Sequence, residues 1–301
     1  MVRYPMVLRT SCLILISLVI VASTVLSYDT KEIPSLYQEL IFRLARDGLN
    51  VQTLSSLFAD SRSAINLPAL VIYLNTKEDT ERYQKFLTSE SILLARKYLR
   101  QNLSSLKKME ACFHVEKEVV VAILLIESRF GENIGKYRVI PTLATLALMD
   151  SPENIEKNFQ NLRQYDPEIS LESVEAFAKR RAQWAYQELK CFLKIIDQEK
   201  MDPLEVYGSH AGALGMAQFI PSSYLNYAMP QKGFENWLLS HEDAINSIGN
   251  YLSAHGWKKR LSRERKERIL MTYNQSEPYV ETVLRIAQKL KGTPTRGESK
   301  E

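Results

Sequence analysis

The sequence predicts an all-α protein, and three observations carry that prediction. Apolar residues recur three and four positions apart over several long segments, few stretches alternate with period two, and no Asn-Gly hairpin pair occurs. The elements follow in chain order. Leu36, Leu40, Ile41 and Leu44 mark one helical stripe, and Ile92, Leu93, Tyr98, Leu99, Leu103 and Leu106 mark a second. Val119 to Ile126 is an unbroken apolar run, which periodicity alone assigns neither to a buried strand nor to a buried helix. Glu116, Lys117 and Glu118 in front of it suit a first helical turn, so it reads as a helix, apolar on every side and therefore central. Ser173 to Ile196 is a further helix, with Ala176, Phe177, Ala185, Leu189, Phe192, Leu193 and Ile196 approximating one stripe. Ser240 to His255 and Pro278 to Leu290 complete the set. Asp150 to Lys179 carries two prolines, several acids and weak periodicity, and reads as a connection with its own local helix. Gly292 to Glu301 has no apolar residue and is expected to be disordered.

Composition is that of a globular protein: 45% hydrophobic and 25% charged over 301 residues, enough for one large domain or two smaller ones. A net charge of +4 suits an anionic polymer without identifying one. Arg3 and Arg9 precede an apolar run from Cys12 to Ala22, followed by small and polar residues through Ser27. That order describes an export signal over residues 1–27, which engages the secretion machinery and is cleaved between Ala22 and Ser27. The alternative is an uncleaved membrane anchor, although Leu13 to Leu26 is short of the roughly 20 residues that span a bilayer. Export leaves Cys112 and Cys191, whose pairing sequence does not decide. Their spacing fits no zinc motif and the four His are scattered, so no metal centre is expected. Trp257 to Arg268 is rich in Lys and Arg, but Glu264 and Glu267 interleave with them. The segment reads as a solvated helix face, and no nucleic-acid partner is expected of an exported chain.

Glu127 ends the central apolar run. A carboxylate near a helix C-terminus opposes the macrodipole, at a cost of up to about 1 kcal/mol. Beside an apolar core its charged form is poorly solvated, so its pKa is expected to rise. A carboxylic acid kept protonated near neutral pH can protonate the leaving oxygen of a glycosidic bond. On this segment alone, pairing with Arg129 or exposure to solvent is the stronger account of Glu127. An ordinary glycosidase needs a second carboxylate across the bond, and none is evident nearby in sequence.

Gly208 to Tyr224 (GSHAGALGMAQFIPSSY) is the most distinctive stretch. Its Gly and Ala residues permit close backbone approach, useful where an extended ligand must lie, though a tightly packed helix pair would use them as well. Ser209 and Gln218 can bond sugar hydroxyls or acetamides, and Pro221-Ser222-Ser223 reads as a turn into another helix.

Together with Glu127-Ser128-Arg129-Phe130-Gly131, this stretch resembles the membrane-bound lytic murein transglycosylase B family. The resemblance extends to Leu143-Ala144-Thr145-Leu146, to Asn250-Tyr251 with Ala254-His255-Gly256-Trp257, and to Tyr273-Asn274-Gln275-Ser276. It covers most of residues 80–290 and implies a lysozyme-like catalytic core with an accompanying helical domain, one catalytic region over 28–291, and a periplasmic location. It further implies non-hydrolytic cleavage of the MurNAc–GlcNAc bond of peptidoglycan, in which Glu127 acts as acid and then base and the C6 hydroxyl of the muramic acid supplies the nucleophile. A hydrolytic muramidase and a catalytically idle peptidoglycan-binding protein are the alternatives.

Carried over residue by residue, the resemblance implies that Ser209, Gln218, Tyr251, Tyr273, Asn274, Tyr279 and, more loosely, Tyr83 line the cleft. Arg180 and Arg181 match a substrate-facing pair. Such tyrosines would stack on sugars with their hydroxyls in water, and such arginines would clamp lactyl and peptide carboxylates. Two departures stand out. The family's calcium loop is here Ala228 to Asn236, without the Asp ligands and with Lys232, so no calcium cofactor is expected. Residues 150–179 look like an insertion ahead of the arginine pair.

Overall fold

The computed structural model describes residues 35–66, 80–163, 167–168 and 170–291. The export segment at 1–27 and the tail at 292–301 lie outside the described residues. The chain divides into two compact units, one up to Ser61 and one from Arg62 onward, where the sequence reads as a single region over 28–291.

The first unit contains α1 (Ser35–Arg46) and α2 (Val51–Ala59). Leu40, Ile41 and Leu44 are buried as the stripe predicts, and the Tyr37 and Phe58 rings meet at 4.7 Å between centroids. The second helix was not evident from sequence. Asn50 starts it by accepting from the Thr53 amide through its side chain, and Leu54, Leu57 and Phe58 form its buried face.

The second unit runs through α3 (Thr80–Gln84), α4 (Ser89–Gln101), α5 (Leu103–Phe113), α6 (Lys117–Ser128), α7 (Val139–Ala147) and α8 (Pro152–Arg163). It continues with α9 (Leu171–Glu199), α10 (Pro221–Tyr227), α11 (Phe234–Trp237), α12 (His241–Ala254), α13 (Arg263–Tyr273) and α14 (Glu277–Lys291). Among the described residues the strands are one antiparallel pair of two-residue segments, β1 (Tyr137–Arg138) and β2 (Tyr207–Gly208).

A helix apolar on every side must be surrounded, and α6 is. Val119 to Leu125 are all buried, with α4, α5, α12 and α14 packed around them. Each such Val, Leu or Ile contributes about 1.5–3 kcal/mol relative to exposure. The wholly buried α7 packs against α9, which also carries α8 and α10.

The leading end of α6 is anchored by charge. The carboxylate of Glu116 accepts from Trp257 Nε1 at 2.6 Å and from Lys266 Nζ at 2.5 Å. Burial alone would raise its pKa, but the bonds from Lys266 and Trp257 and the Lys266 charge outweigh that, and the carboxyl sits below its ordinary value. Lys266 therefore leaves the solvated basic face on which the sequence puts it, whereas Lys258, Lys259 and Arg260 remain exposed.

Several predicted boundaries change. The stripe from Ile92 to Leu106 is two helices broken at Asn102, whose Nδ2 donates to the Tyr98 carbonyl at 3.1 Å. Leu93 is 62% exposed, because the buried face of α4 runs through Ile92, Ala95, Tyr98 and Leu99. On α9 the buried line is Val174, Ala178, Ala182, Ala185, Leu189, Phe192 and Ile196, and Ala176 faces out. The connection at 150–179 comprises α8 and the opening turns of α9.

Candidate active site

Glu127 occupies the last turn of α6, half-buried, where the apolar body of the helix emerges at a cleft of about 510 Å³. That volume lies within the range of small-ligand sites. The helix ends abruptly at Arg129 and Phe130, two consecutive non-glycine residues with φ of 50° and 62°. Left-handed backbone costs roughly 1–2 kcal/mol per residue. Local contacts offset it: the Phe130 amide donates to the Leu124 carbonyl at 3.1 Å, and the Phe130 ring stacks on Tyr98 at 4.0 Å. Arg129 reaches Glu132 at 2.7 Å and Glu90 at 3.6 Å.

The glycine-rich segment faces this helix end. It is no helix pair but an irregular loop with bridges at Gly208–Leu214 and Leu214–Phe219. Ser128 Oγ donates to the Met216 carbonyl at 2.7 Å, which ties the loop to the residue after Glu127. A second tie is the short sheet, where Tyr137 pairs with Gly208. Just before it, Gly135 (φ 102°) passes so close that a Cβ there would lie 1.9 Å from the Gly208 carbonyl carbon. Glu188, buried on α9, holds the far end of the loop by accepting from Ser222 N at 2.9 Å and Ser222 Oγ at 2.8 Å. Burial raises its pKa, and the bonds from Ser222 pull the other way.

Seven of the ten residues singled out from the sequence converge on the cleft: Tyr83, Glu127, Ser209, Gln218, Tyr273, Asn274 and Tyr279. Tyr279 is fully buried and its hydroxyl donates to Glu127 Oε1 at 2.7 Å. Tyr273 lies 6.5 Å from it, ring to ring, and donates to the Ala217 carbonyl at 2.6 Å. Burial first, and the Glu127 charge second, hold both phenols well above their ordinary pKa, so both stay protonated donors. These hydroxyls are thus committed inside the protein and do not sit in water as stacking tyrosines would. Tyr83 packs edge-on to Tyr279 at 6.1 Å.

Ser209 Oγ accepts from the amides of Ala211 and Ala213, both at 3.1 Å, and so shapes the loop. Gln218 Nε2 donates to the carbonyls of Ile134 at 3.1 Å and Gly215 at 2.8 Å. Its Oε1 is the end left for a ligand.

Three residues stand elsewhere. Tyr251 is buried behind Tyr273, with ring centroids 4.9 Å apart and its hydroxyl donating to the Thr272 carbonyl at 2.6 Å. It supports the cleft without lining it. Arg180 and Arg181 are both exposed on α9, outside its buried Ala178–Ala182 line, and neither is among the residues that line the cleft. The cleft's cationic side chains are instead Arg82, Lys85 and Lys136, and His210 lines it too. Burial, with help from the Arg82 charge, lowers the His210 pKa, which keeps that imidazole neutral near pH 7. These four were missed as site residues, although Arg82, Lys85 and His210 lie inside or beside the motif stretches. Among the described residues that line the cleft, Glu127 is the one carboxylate.

At the loop 228–236, where calcium would need six to eight oxygens, Asp243 Oδ2 accepts from Gln231 N and Asn236 Nδ2, both at 3.3 Å. Glu199 Oε2 accepts from Phe234 N at 3.2 Å, and Lys232 adds a positive charge. Among the described residues no group of three or more His, Cys, Asp or Glu is placed to hold a metal ion. Cys112 and Cys191 are both free thiols.

Comparison with known proteins bears on the family and the fold. The family model described as Transglycosylase SLT domain covers residues 34–266. Membrane-bound lytic murein transglycosylase B of Escherichia coli K12 is 33% identical over 180 residues, 59% of this chain but 42% of that relative's length. The E. coli lytic transglycosylase SLT35, in complex with calcium, shares the fold with a TM-score of 0.66 at 22% identity, covering 85% of this chain and 93% of that one. SltB3 from Pseudomonas aeruginosa, in complex with NAG-anhNAM-pentapeptide, aligns with a TM-score of 0.66 at 21% identity, covering 86% and 80%. By the extent of the family match and the fold it shares with these structures, the chain belongs to the SLT-domain transglycosylase family.

Proposed function

We propose that the chain is a lytic transglycosylase that cleaves the MurNAc–GlcNAc bond of peptidoglycan and leaves 1,6-anhydro-MurNAc ends. One observation carries this reading: among the described residues that line the cleft Glu127 is the one carboxylate, and a buried phenol donor holds it. A hydrolase would place a second carboxylate across the bond, and the described lining supplies none.

In the proposed sequence, the Glu127 carboxyl gives its proton to the glycosidic oxygen as the C1–O bond breaks, and the GlcNAc side leaves with a hydroxyl. The resulting carboxylate then takes the proton of the muramic C6 hydroxyl as that oxygen bonds to C1. Water is not consumed and Glu127 returns to its acid form. Tyr279 strengthens its bond to Glu127 as charge develops, while Ser209, Gln218, Asn274 and Tyr83 shape the sugar site. No metal takes part in this reading, since the donor set of the 228–236 loop does not suit one.

The P. aeruginosa relative's complex with a muropeptide supports the substrate class. The reading assigns the chain to the periplasm, where murein lies, reached through the export signal or held by it at the inner membrane. No helix among the described residues is long and apolar enough to cross a membrane.

Mass spectrometry of muropeptides after digestion tests the reading. The wild type is expected to release 1,6-anhydromuropeptides, and Glu127→Gln to release none while its circular dichroism is unchanged. Reducing ends without the anhydro form would make the chain a muramidase, and binding without turnover would make it an idle wall binder.

A further inference from the structure

The charge balance of the cleft is out of proportion to a neutral sugar chain. Among the described residues of its lining, three permanent cations, Arg82, Lys85 and Lys136, stand beside one carboxylate, Glu127. Lys85 and Lys136 reach no protein carboxylate among the described residues. Each instead lies over an aromatic neighbour, Lys85 over Phe86 at 5.0 Å and Lys136 over Tyr137 at 5.7 Å. Rings of that kind fix the direction of the ammonium groups without neutralising them.

Two features make this arrangement informative. The lysines come from different places in the chain, the turn after α3 and the bend between Gly135 and β1, so no single solvated helix face accounts for them. Both lysines also share the cleft lining with Glu127, yet neither is neutralised by a carboxylate among the described residues. The arrangement suits the chemistry if a bound ligand brings the countercharge.

We propose that Arg82, Lys85 and Lys136 form a subsite for the carboxylates of the substrate's side arm, so that the cleft selects carboxylate-bearing glycan over uncharged glycan. The proposal rests on the glycan-cleaving reading of the same cleft. It moves the expected carboxylate recognition from Arg180 and Arg181, exposed on α9, to cations that line the same cleft as Glu127.

The test uses two preparations of the same glycan strands, one intact and one with its carboxyls converted to methylamides by carbodiimide coupling. Binding is measured on Glu127→Gln protein, and release of anhydro ends on protein with Glu127 intact. The intact strands are expected to bind about tenfold more tightly at low salt, and the preference should shrink at 0.5 M salt, as exposed ion pairs are screened. Adding Lys85→Gln and Lys136→Gln together is expected to bring the binding ratio close to one.

Equal binding of the two preparations overturns the proposal, and so does a double variant that folds normally yet keeps the preference. A binding preference without any cleavage by the wild type supports the subsite and counts only against the transglycosylase reading.

Discussion

Replacing Tyr279 by Phe removes one oxygen atom from the floor of the cleft and leaves the rest of that side chain's packing in place. The ring keeps its neighbours Tyr83 and Tyr273, at 6.1 and 6.5 Å between centroids. What disappears is the 2.7 Å hydrogen bond to Glu127 Oε1. A hydrogen bond to a neutral group contributes about 0.5–1.5 kcal/mol net, and one to a charged group about 1.5–3. As Glu127 passes from acid to carboxylate, the bond therefore strengthens by about 1–1.5 kcal/mol. That difference belongs to the transition state and not to the bound substrate. It corresponds to a fall in kcat of roughly 5- to 15-fold. KM should hardly move, because Tyr279 is fully buried and presents no surface to the sugar. The freed Glu127 oxygen opens on the cleft, where water can replace the phenol, so the melting temperature should drop by no more than about 4 °C. The assay is the initial rate of 1,6-anhydromuropeptide release against strand concentration. A kcat within twofold of wild type, or a loss confined to KM, refutes the assignment of Tyr279 as a partner that acts during proton transfer.

Glu116→Gln should lower stability at pH 7 by roughly 2–3 kcal/mol, since it leaves Lys266 without its buried counter-charge. The Glu116 carboxyl lies below its ordinary value of 4.5 in the folded chain, so its contribution is complete above that value and is lost as pH falls below it. Urea titrations should therefore separate variant from wild type at pH 7 and bring them together only as pH falls below 4.5 and through the lowered folded-state value. Gly135→Ala should cost more than about 3 kcal/mol, because the new methyl would meet backbone at 1.9 Å. Gly256→Ala, at φ 92° with nothing within 4 Å, should cost only about 1 kcal/mol. Thermal melts of the pair separate steric clash from backbone conformation. Arg180→Gln combined with Arg181→Gln should leave kcat/KM on murein within about twofold, as both are exposed on α9 and neither lines the cleft.

The sequence made legible what repeats along it. The run from Val119 to Leu125 had to be surrounded, and the stripes of α12 and α14 had to face inward, because burial leaves a periodic trace. Glu127 was legible as an anomaly for the same reason, being a carboxylate at the end of that run. Tyr279 was placed in the cleft only by resemblance. Its hydrogen bond crosses 152 residues and leaves no local pattern. The cations of the cleft were hidden by their kind: Lys85 and Lys136 read as ordinary surface residues, and only tertiary structure brings them to the wall opposite Glu127. The break at Asn102 was missed because Leu103 and Leu106 continue the apolar spacing across it. Arg180 and Arg181 show the converse. The motif match assigned them to the substrate, and the phase of α9 turns them to solvent.

The position of Glu127 on a helix with a wholly enclosed body also bears on how activity is lost. Amide hydrogens from Val121 to Leu125 have no route to solvent short of opening the helices packed around them, so they should be among the slowest in the chain to exchange with deuterium. The group that meets the substrate is thus carried by the part of the molecule least able to fray. Heating cannot loosen this carboxylate in advance of the fold, and inactivation and global melting should fall on the same curve.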